Sequence, residues 1–270
     1  MAHIFETESN LSKPTNSNEK VVVKEKQRDM KFKLSRPSFV WDRTVMCKTI
    51  TGLPVLTISL TATRGISMSK RPVIFVTSRV HPGETNASTV FEGFLDRLVN
   101  EIETSPILSH FIVKMVPCMN PDGVVCGNYR SSLAGVDLNR QWILPSQDLH
   151  PEVFHTKKYM ERLTKKENKK IKIYCDIHCH SKKKNSFLYG CNTAAEGAAF
   201  STWTQVRLLP RLLARRSPFV SLPDCRFGIE SCKLGTARVV VWKEFGVMNS
   251  FTLENSFYGY NHGYQTRVFT

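Results

Sequence analysis

The sequence predicts a three-layer α/β sandwich, in which a mixed, mostly parallel central sheet carries helices on both faces. Short apolar, β-rich runs alternate along the chain with longer segments of helical spacing, as in strand–helix–strand units. The chain has 270 residues, of which 41% are hydrophobic, enough for one large domain with a substantial core. The segments with potential chemistry lie at or just after predicted strand ends, where ligands bind in such sheets.

The amino-terminal segment differs in composition from the rest of the chain. The first 30 or so residues are polar and charged, with few apolar side chains, too few to offset the loss of chain entropy on folding. From Phe32 to Trp41 the chain becomes more apolar, as in the remnant of an upstream domain or the lead-in to the main domain. We therefore expect a disordered tail and such a remnant over residues 1–40, and the main domain over 41–270.

The first half of the main domain contains three predicted strands and one helix. Weak alternation predicts a strand over 57–63, and short apolar runs predict buried strands over 72–77 and 111–116. Apolar residues recur at helical spacing over 85–100. The Asn-Pro-Asp-Gly segment 120–123 indicates a turn.

The second half contains two predicted helices and four short strands. A lysine-rich helix is expected over 153–167, and a second one over 194–215, broken near Pro210. The predicted strands are 171–177, 187–189, 239–242 and 250–253.

The charge balance indicates an acidic partner. The chain has 38 Lys and Arg against 23 Asp and Glu, a formal net charge of +15. Nucleic acid, an anionic membrane surface and an acidic polypeptide all fit this sign, and a solvated charged face is the alternative. We expect no specific nucleic-acid binding, because the sequence has no aromatic–basic binding module. We expect no membrane insertion, because no run approaches the roughly 18 apolar residues of a spanning helix.

The cysteines and the chain start indicate a cytoplasmic protein. The eight cysteines are scattered and form no C-x-x-C pair, which predicts reduced thiols, with a disulfide framework as the alternative. The first residues lack the basic and apolar regions of a secretory signal.

Two histidines and a carboxylate form a candidate metal site. The His-Pro-Gly-Glu segment 81–84 lies between a predicted strand and a predicted helix, so its turn can direct an imidazole and a carboxylate to one point. His178 ends the strand 171–177. Many catalytic zinc sites have two histidines and one carboxylate, with the fourth position left for water. His180 remains a rival ligand, since strand alternation places it on the same face as His178.

Two further carboxylates have candidate roles. Asp137 lies in a loop, from which it can accept the second N–H of His81 and fix that ring's tautomer; a loop cap is the alternative. Glu254 ends an apolar run, where partial burial would raise its pKa and suit a general base near neutral pH. A surface glutamate at a strand end is the alternative.

Four motifs together resemble the cytosolic carboxypeptidases, a branch of the zinc metallocarboxypeptidases, over about residues 45–265. The motifs are 80–86, 120–123 with 128–142, 176–181 with Asn185 and 189–190, and 251–254. The resemblance implies that one Zn²⁺ per chain is bound by His81, Glu84 and His178, with His178 rather than His180 as the matching residue.

The same resemblance implies the catalytic and substrate-binding roles. Glu254 would act as general base and acid, and Arg130 would polarise the scissile carbonyl. Asn139 and Arg140 would hold the terminal carboxylate, which a guanidinium fork meets through two hydrogen bonds. Arg238 lies near the expected floor of the specificity pocket, where a cation favours a glutamate side chain.

The implied function is removal of C-terminal glutamates from acidic protein tails such as those of tubulin. The implied location is the cytoplasm, with association with microtubules or cilia as the finer expectation. The basic runs 182–184 and 211–216 would attract such tails or form solvated faces. The alternative is a catalytically impaired tubulin-binding or scaffold form, since the chain ends soon after Glu254, where family members continue. A related zinc deacylase is less favoured, because Asn139 and Arg140 suit a peptide terminus.

Two positions depart from the digestive members of the wider family. Gly83 stands where those enzymes carry an arginine. No tyrosine lies between Gly190 and Glu254, so the residue that covers the substrate is not identified from the sequence.

Overall fold

The computed structural model describes residues 39–102, 104–192, 200–262 and 265–269. Its central sheet contains the strands β1 (Phe39–Lys48), β2 (Pro54–Ala62), β3 (Val73–Ser78), β4 (Ile112–Val116), β5 (Ile171–His180), β6 (Phe187–Tyr189) and β7 (Asn249–Ser256). Across the sheet the order is β1-β2-β4-β3-β5-β7-β6. Strands β4, β3, β5 and β7 are parallel, and β1, β2 and β6 pair antiparallel. The mixed, mostly parallel sheet predicted from the sequence is therefore confirmed.

The helices of the described residues lie on both faces of this sheet. They are α1 (Thr85–Asn100), α2 (Pro106–His110), α3 (Pro121–Val125), α4 (Pro151–Glu161), α5 (Phe200–Arg216) and α6 (Ala237–Phe245). Helix α4 continues into one π-helical turn, Arg162–Lys166. A separate hairpin of β8 (Gly259–His262) and β9 (Gln265–Val268) follows β7.

Alternate side chains of the strands serve two separate cores. Phe75 of β3 packs in a core with Val153 of α4 and Val240 of α6. The next residue, Val76, packs in a second core with Phe91 of α1. Successive side chains of a strand point to opposite faces of its sheet, so the two cores lie on opposite faces. This arrangement confirms the predicted three-layer sandwich.

The parallel strands bring their carboxyl ends to one edge of the sheet. In the register of β5 and β7, His178 lies opposite Glu254, and Phe187 of β6 pairs with Glu254 from the other side. Segment 79–84 follows directly after β3. The sheet order therefore places three chemically important segments at the same edge.

Three predicted elements differ from those observed. Segment 239–242 lies in helix α6, because burial of its valines outweighs their weak preference against helix. Segment 120–123 begins the one-turn helix α3, whose first N–H groups are capped by the Asn120 side chain, which accepts from Gly123 N. Helix α5 runs through Pro210, whose ring is buried; residues 194–199 of the predicted helix lie outside the described residues.

Only the end of the predicted amino-terminal segment 1–40 lies within the described residues. Residues 1–38 lie outside the described part of the chain. Strand β1 begins at Phe39 and forms one edge of the sheet, so the end of the predicted remnant belongs to the sheet itself. Neither β1 nor the hairpin of β8 and β9 was predicted. Within the described residues, no helix combines the length and apolarity that crossing a membrane requires.

Candidate metal centre and active site

His81, Glu84 and His178 converge at the edge where the parallel strands end. One potential ligand atom from each lies within 4.8 Å of the others, and all three side chains are buried. His81 Nδ1 lies 2.7 Å from Glu84 Oε1, and His178 Nδ1 lies 3.1 Å from Glu84 Oε2. The structure therefore brings together the three residues predicted to bind a metal.

The turn that carries His81 and Glu84 depends on close backbone contacts. Arg79 adopts a left-handed conformation with φ of 57°, and its buried guanidinium donates to Pro82 O at 2.8 Å and Ser88 Oγ at 2.7 Å. Gly83 N donates to Tyr129 O at 2.8 Å. A Cβ at Gly83 would lie 2.7 Å from that same oxygen, closer than real Cβ atoms approach, so this position requires glycine.

Each histidine has a carboxylate on its outer nitrogen. His81 Nε2 lies 2.9 Å from Asp137 Oδ1, and His178 Nε2 lies 2.6 Å from Asp176 Oδ2. Such contacts fix the ring orientation and leave the other nitrogen, Nδ1, to bind a metal. The sequence predicted this role for Asp137 but not for Asp176. The missed signal was the i, i+2 spacing of Asp176 and His178, which puts both on one face of β5.

Asp176 is held by further buried groups. Thr77 Oγ1 donates to Asp176 Oδ1 at 2.7 Å, and Tyr174 OH lies 2.7 Å from Thr77 Oγ1. Tyr174, Asp176 and Thr77 come from the adjacent strands β5 and β3 and are buried. The orientation of His178 is therefore supported by a chain of side chains that reaches into the sheet.

His180 has a different role from His178. Its Nδ1 accepts from the backbone N–H groups of Lys182 at 3.1 Å and Lys183 at 3.0 Å. Its ring packs edge-on against Phe187, with the centroids 5.3 Å apart. The rival ligand of the sequence analysis thus caps the turn after β5 and is separate from the His81–Glu84–His178 cluster.

The pKa values of Glu84 and Glu254 are shifted in opposite directions. Burial alone raises the pKa of Glu84, but the hydrogen bonds and charges of His178 and His81 hold it below its usual range. Burial raises the pKa of Glu254, and the charge of Glu84 adds to the effect, although His178 opposes it. Glu254 is therefore a better proton acceptor near neutral pH than an exposed glutamate.

Glu254 and the three clustered residues share one cavity of about 630 Å³, within the usual size range of small-ligand sites. Basic side chains outnumber acidic ones in its lining, so the cavity favours anionic ligands. The basic residues are Arg130, Arg140, Lys183, Arg226, Lys233 and Arg238, and the acidic residues are Glu84, Glu230 and Glu254. Lys183 belongs to the basic run 182–184 that the sequence indicated, whereas Arg226 and Lys233 were not singled out, because only the fold brings their distant segments here.

Asp137 holds two of the arginines beside the cavity. Arg130 Nε donates to Asp137 Oδ2 at 3.0 Å, and Arg140 NH1 lies 3.7 Å from the same oxygen. Both guanidinium groups are partly exposed, so they keep donors available for a ligand. Together with the contact to His81, these interactions hold the pKa of Asp137 well below its usual range, against the effect of burial.

Asn139 and Arg238 are more enclosed than the other predicted substrate-binding residues. Asn139 Nδ2 lies 3.2 Å from His178 Nε2, and Asn139 Oδ1 accepts from Ala237 N at 2.9 Å. Arg238 is 5% exposed, and its NH1 donates to Gly190 O and lies 3.3 Å from Cys191 Sγ. Both residues line the cavity, so the structure places every predicted site residue in it or in contact with its lining.

Comparison with known proteins identifies the family. Residues 31–206 match the family described as Zinc carboxypeptidase, which is more than half of the chain.

The chain belongs to the zinc carboxypeptidase family.

Several members of this family are similar to the chain over most of its length. It is 42% identical over 236 residues to Cytosolic carboxypeptidase 1 of Xenopus laevis, a match that covers 81% of this chain and 19% of that protein. It is 41% identical over 217 residues to Cytosolic carboxypeptidase 3 of Mus musculus, covering 80% and 21%. The resemblance to the cytosolic carboxypeptidases is confirmed. The chain spans about a fifth of the length of these relatives.

Solved structures of zinc carboxypeptidases share the fold. A metallo-carboxypeptidase from Burkholderia cenocepacia is 24% identical, with a TM-score of 0.69 over 80% of this chain and 56% of that one. A carboxypeptidase A from Helicoverpa armigera is 19% identical, with a TM-score of 0.60 over 86% of this chain and 62% of that one. At this level of identity the comparison supports the fold alone.

The donor set of the His81–Glu84–His178 cluster fits zinc. Two imidazole nitrogens and one carboxylate are the protein ligands of many catalytic zinc sites, and a nitrogen-rich site suits zinc better than magnesium or calcium. The outer nitrogen of each histidine contacts a carboxylate, as is common for zinc-binding histidines. Among the described residues, no other group of His, Cys, Asp and Glu side chains has its atoms close enough to hold a metal ion.

Proposed function

We propose that the chain is the catalytic region of a zinc-dependent carboxypeptidase that removes C-terminal glutamates from acidic protein tails, those of tubulin among them. The observation that carries this proposal is the single basic cavity that contains the His81–Glu84–His178 cluster, Glu254 and Arg140. A metal cluster, a proton acceptor and a carboxylate-binding cation in one cavity favour catalysis over the alternative of a scaffold without activity.

The reaction requires a positioned proton carrier beside the metal. Bound to His81, Glu84 and His178, zinc would polarise the scissile carbonyl and lower the pKa of a water. Glu254 lies opposite His178 on the neighbouring strand and has a raised pKa. It would accept a proton from the attacking water and deliver it to the leaving nitrogen.

Two arginines suit the two charges that the substrate presents. Arg140 and Arg130 line the cavity and are each anchored to Asp137, which fixes their direction before substrate binds. Arg140, with Asn139 beside it, would hold the terminal carboxylate through its planar fork. Arg130 would stabilise the negative charge that develops on the carbonyl oxygen. A clamp for a free carboxylate restricts cleavage to chain ends.

Preference for glutamate is supported by further basic residues of the cavity lining. Arg238 is almost fully buried there, and a cation at low dielectric interacts strongly with a carboxylate side chain. Lys183, Arg226 and Lys233 add positive charge around the same cavity. Acidic residues next to the cleaved one would be attracted for the same reason.

The names of the relatives support a cytosolic location. Cytosolic carboxypeptidases 1 and 3 are among the proteins that the chain resembles over about 80% of its length. Tubulin tails are an abundant acidic polypeptide in that compartment, which makes them the first substrate to test.

The decisive experiment measures glutamate release from a blocked peptide that ends in two glutamates, in the presence of zinc. We expect release by the unmodified chain, and a loss of about 10²- to 10⁴-fold for Glu254→Gln, with zinc still bound. Glu230→Gln is the matched control, because it removes a carboxylate from the same cavity without touching the proposed proton carrier. Unchanged release by Glu254→Gln would contradict the assignment.

A second comparison tests the side-chain preference. Peptides ending in glutamate, glutamine and lysine differ in charge at similar length. We expect kcat/KM to be highest for glutamate, with glutamine lower by about tenfold or more, the loss of one charge-assisted contact of roughly 1.5–3 kcal/mol. Equal rates for glutamate and glutamine would remove Arg238 and its neighbours as specificity residues.

A further inference from the structure

Helix α5 carries an unusual charge distribution for its length. Its sequence, Phe200–Arg216, contains four arginines and no acidic residue. Arg207, Arg211 and Arg215 follow one another at four-residue spacing, and Arg216 ends the helix. Like charges at this spacing destabilise a helix by about 0.2–0.5 kcal/mol per pair. The stripe therefore carries a mutual repulsion that an acidic partner would relieve.

The exposed side of α5 combines these charges with apolar groups. Leu208 is 56% exposed and Leu212 is 47% exposed, and Arg211, Arg215 and Arg216 are exposed as well. Residues 208, 211, 212 and 215 share one side of the helix, since residues three and four apart are neighbours on its surface. We call these five residues, Leu208, Arg211, Leu212, Arg215 and Arg216, the α5 face.

Helix α5 packs against the outside of a wall of the active-site cavity. The guanidinium of Arg207 lies between two aromatic rings, 4.2 Å from the Trp203 centroid and 4.4 Å from the Phe227 centroid. Arg226 and Gly228, on either side of Phe227, line the cavity. Helix α5 therefore contacts, through Phe227, the segment that forms this part of the cavity lining.

We propose that the α5 face is an exosite, which binds the part of an acidic polypeptide substrate that lies upstream of its cleaved end. This inference rests on the proposed function, because it assumes an acidic polypeptide in the cavity. Acidic side chains pair with the arginines, and apolar side chains of the same segment cover the two leucines. An extended chain spans about 3.3 Å per residue, so a few residues suffice to pass from the cavity over the wall.

An anionic membrane is the competing partner for a basic and apolar helix. Membrane-surface helices bury a broad apolar side in the lipid. The α5 face offers two leucines among three arginines, which is little apolar area for that purpose. Its position behind the cavity wall instead favours a partner whose end already occupies the cavity.

The test compares two triple variants of the full chain with the same loss of charge. Arg211→Ala/Arg215→Ala/Arg216→Ala removes the charges of the α5 face. The matched control, Lys165→Ala/Lys166→Ala/Lys170→Ala, removes three exposed lysines near the end of α4. The substrates are a blocked pair of glutamates and an acidic peptide about 20 residues long, which spans up to roughly 65 Å when extended.

We expect the α5 variant to raise KM for the long peptide about tenfold, the sum of three modest surface ion pairs, with kcat unchanged. Its kinetics on the blocked pair should equal those of the unmodified chain, which also shows that the variant is folded. The control variant should change neither substrate's KM by more than about twofold, a screened long-range effect.

Two results would overturn the inference. One is equal KM values of both variants for the long peptide. The other is binding to vesicles that contain phosphatidylserine, lost in the α5 variant, while binding of the long peptide is unaffected. If the unmodified chain fails to cleave even the blocked pair, the proposed function fails instead. In that case the long peptide, labelled with a fluorophore, is titrated against the two variants. Weaker binding to the α5 variant than to the control supports the exosite, and equal binding contradicts it.

Discussion

Two regions of the molecule bury a glutamate, with opposite results. Glu84, in the candidate metal centre, has its carboxylate oxygens within hydrogen-bond distance of His81 and His178, and its pKa is lowered. Glu152, in the first turn of α4, is 2% exposed, and its Oε2 has no partner among the described residues. Burial, with a contribution from the nearby charge of Asp122, raises the pKa of Glu152 to about 7.

The comparison shows that burial alone does not identify a functional carboxylate. Burial disfavours the charged form of any acid, and only partners built around it reverse the effect. Around Glu84 such partners are present and suit a metal ion as well as a proton. Around Glu152 they are lacking, so we expect its effects to appear in stability rather than in metal binding.

The largest expected effect is on zinc affinity. Structural zinc binding is worth about 10–16 kcal/mol, so loss of one ligand among four costs roughly 3 kcal/mol, or about a hundredfold or more in affinity. Glu84→Gln should show this loss in a competition titration with a chelating dye. Glu152→Gln is the control and should bind zinc like the unmodified chain. Similar zinc affinities for the two variants would erase the distinction between the regions.

The next effect is a pH dependence of stability that arises from Glu152. Its folded pKa of about 7 lies above its ordinary value of 4.5, so the folded state binds the proton more tightly. The contribution is complete below about pH 4.5 and is lost as the pH rises through 7. The free energy of unfolding should fall by on the order of 2–3 kcal/mol between pH 5 and pH 8 from this group.

The measurement is denaturant unfolding at both pH values for the unmodified chain and for Glu152→Gln. The glutamine cannot ionise, so the difference in stability between the two proteins should change with pH by the amount given above. Other groups that titrate contribute equally to both proteins and cancel. A constant difference between pH 5 and pH 8 would mean that Glu152 finds partners when it ionises.

A smaller loss of zinc affinity is expected when His178 is kept and the carboxylate that contacts its outer nitrogen is removed. Asp176→Asn leaves His178 in place but replaces the carboxylate on its outer nitrogen. Changes to such supporting groups cost about 10- to 100-fold in metal affinity. Asn139→Ser is a useful comparison, because its amide also lies near His178 Nε2. Full zinc affinity in Asp176→Asn would show that the tautomer of His178 is fixed by something else.

The smallest expected effect is on the stability that comes from hydrogen bonds to Asp122, the carboxylate near Glu152. Asp122 Oδ1 accepts from Thr49 Oγ1 at 2.6 Å and also from Thr51 Oγ1. Thr49→Ser keeps this bond and should be close to neutral, whereas Thr49→Ala should lower the free energy of unfolding by about 1–2 kcal/mol. Chemical denaturation at pH 7 distinguishes the two. An equal loss in both variants would assign the effect to the methyl group.

The sequence predicts the parts of the fold that depend on local pattern. Strands β2 to β5 and β7 are recognisable because their apolar runs are buried, and helix α1 because its apolar residues recur at helical spacing. The same pattern gave a wrong prediction for helix α6. Its run of valines has strand propensity, but burial of these valines against the sheet favours a helix. Strand β1 was missed because its apolar residues come in runs without alternation, and most of its side chains are exposed.

The candidate site likewise contains residues that the sequence predicts and residues that it does not. Motif spacing alone indicated the His81–Glu84 turn and His178, but could not separate His178 from His180. The decision comes from the turn after β5, where two backbone N–H groups occupy the His180 ring. The wall containing Arg226 is likewise not visible in the sequence, because its place in the cavity depends on pairing with β6.

The contact between Gly83 and Tyr129 limits how the metal turn can be exchanged between relatives. Because the glycine lies directly against the backbone of the residue before Arg130, an arginine grafted from a digestive enzyme would push that loop outward. Arg130 would move with it. The turn of His81 and Glu84 and the loop of Arg130 are thus one module, which protein engineers would have to transplant together.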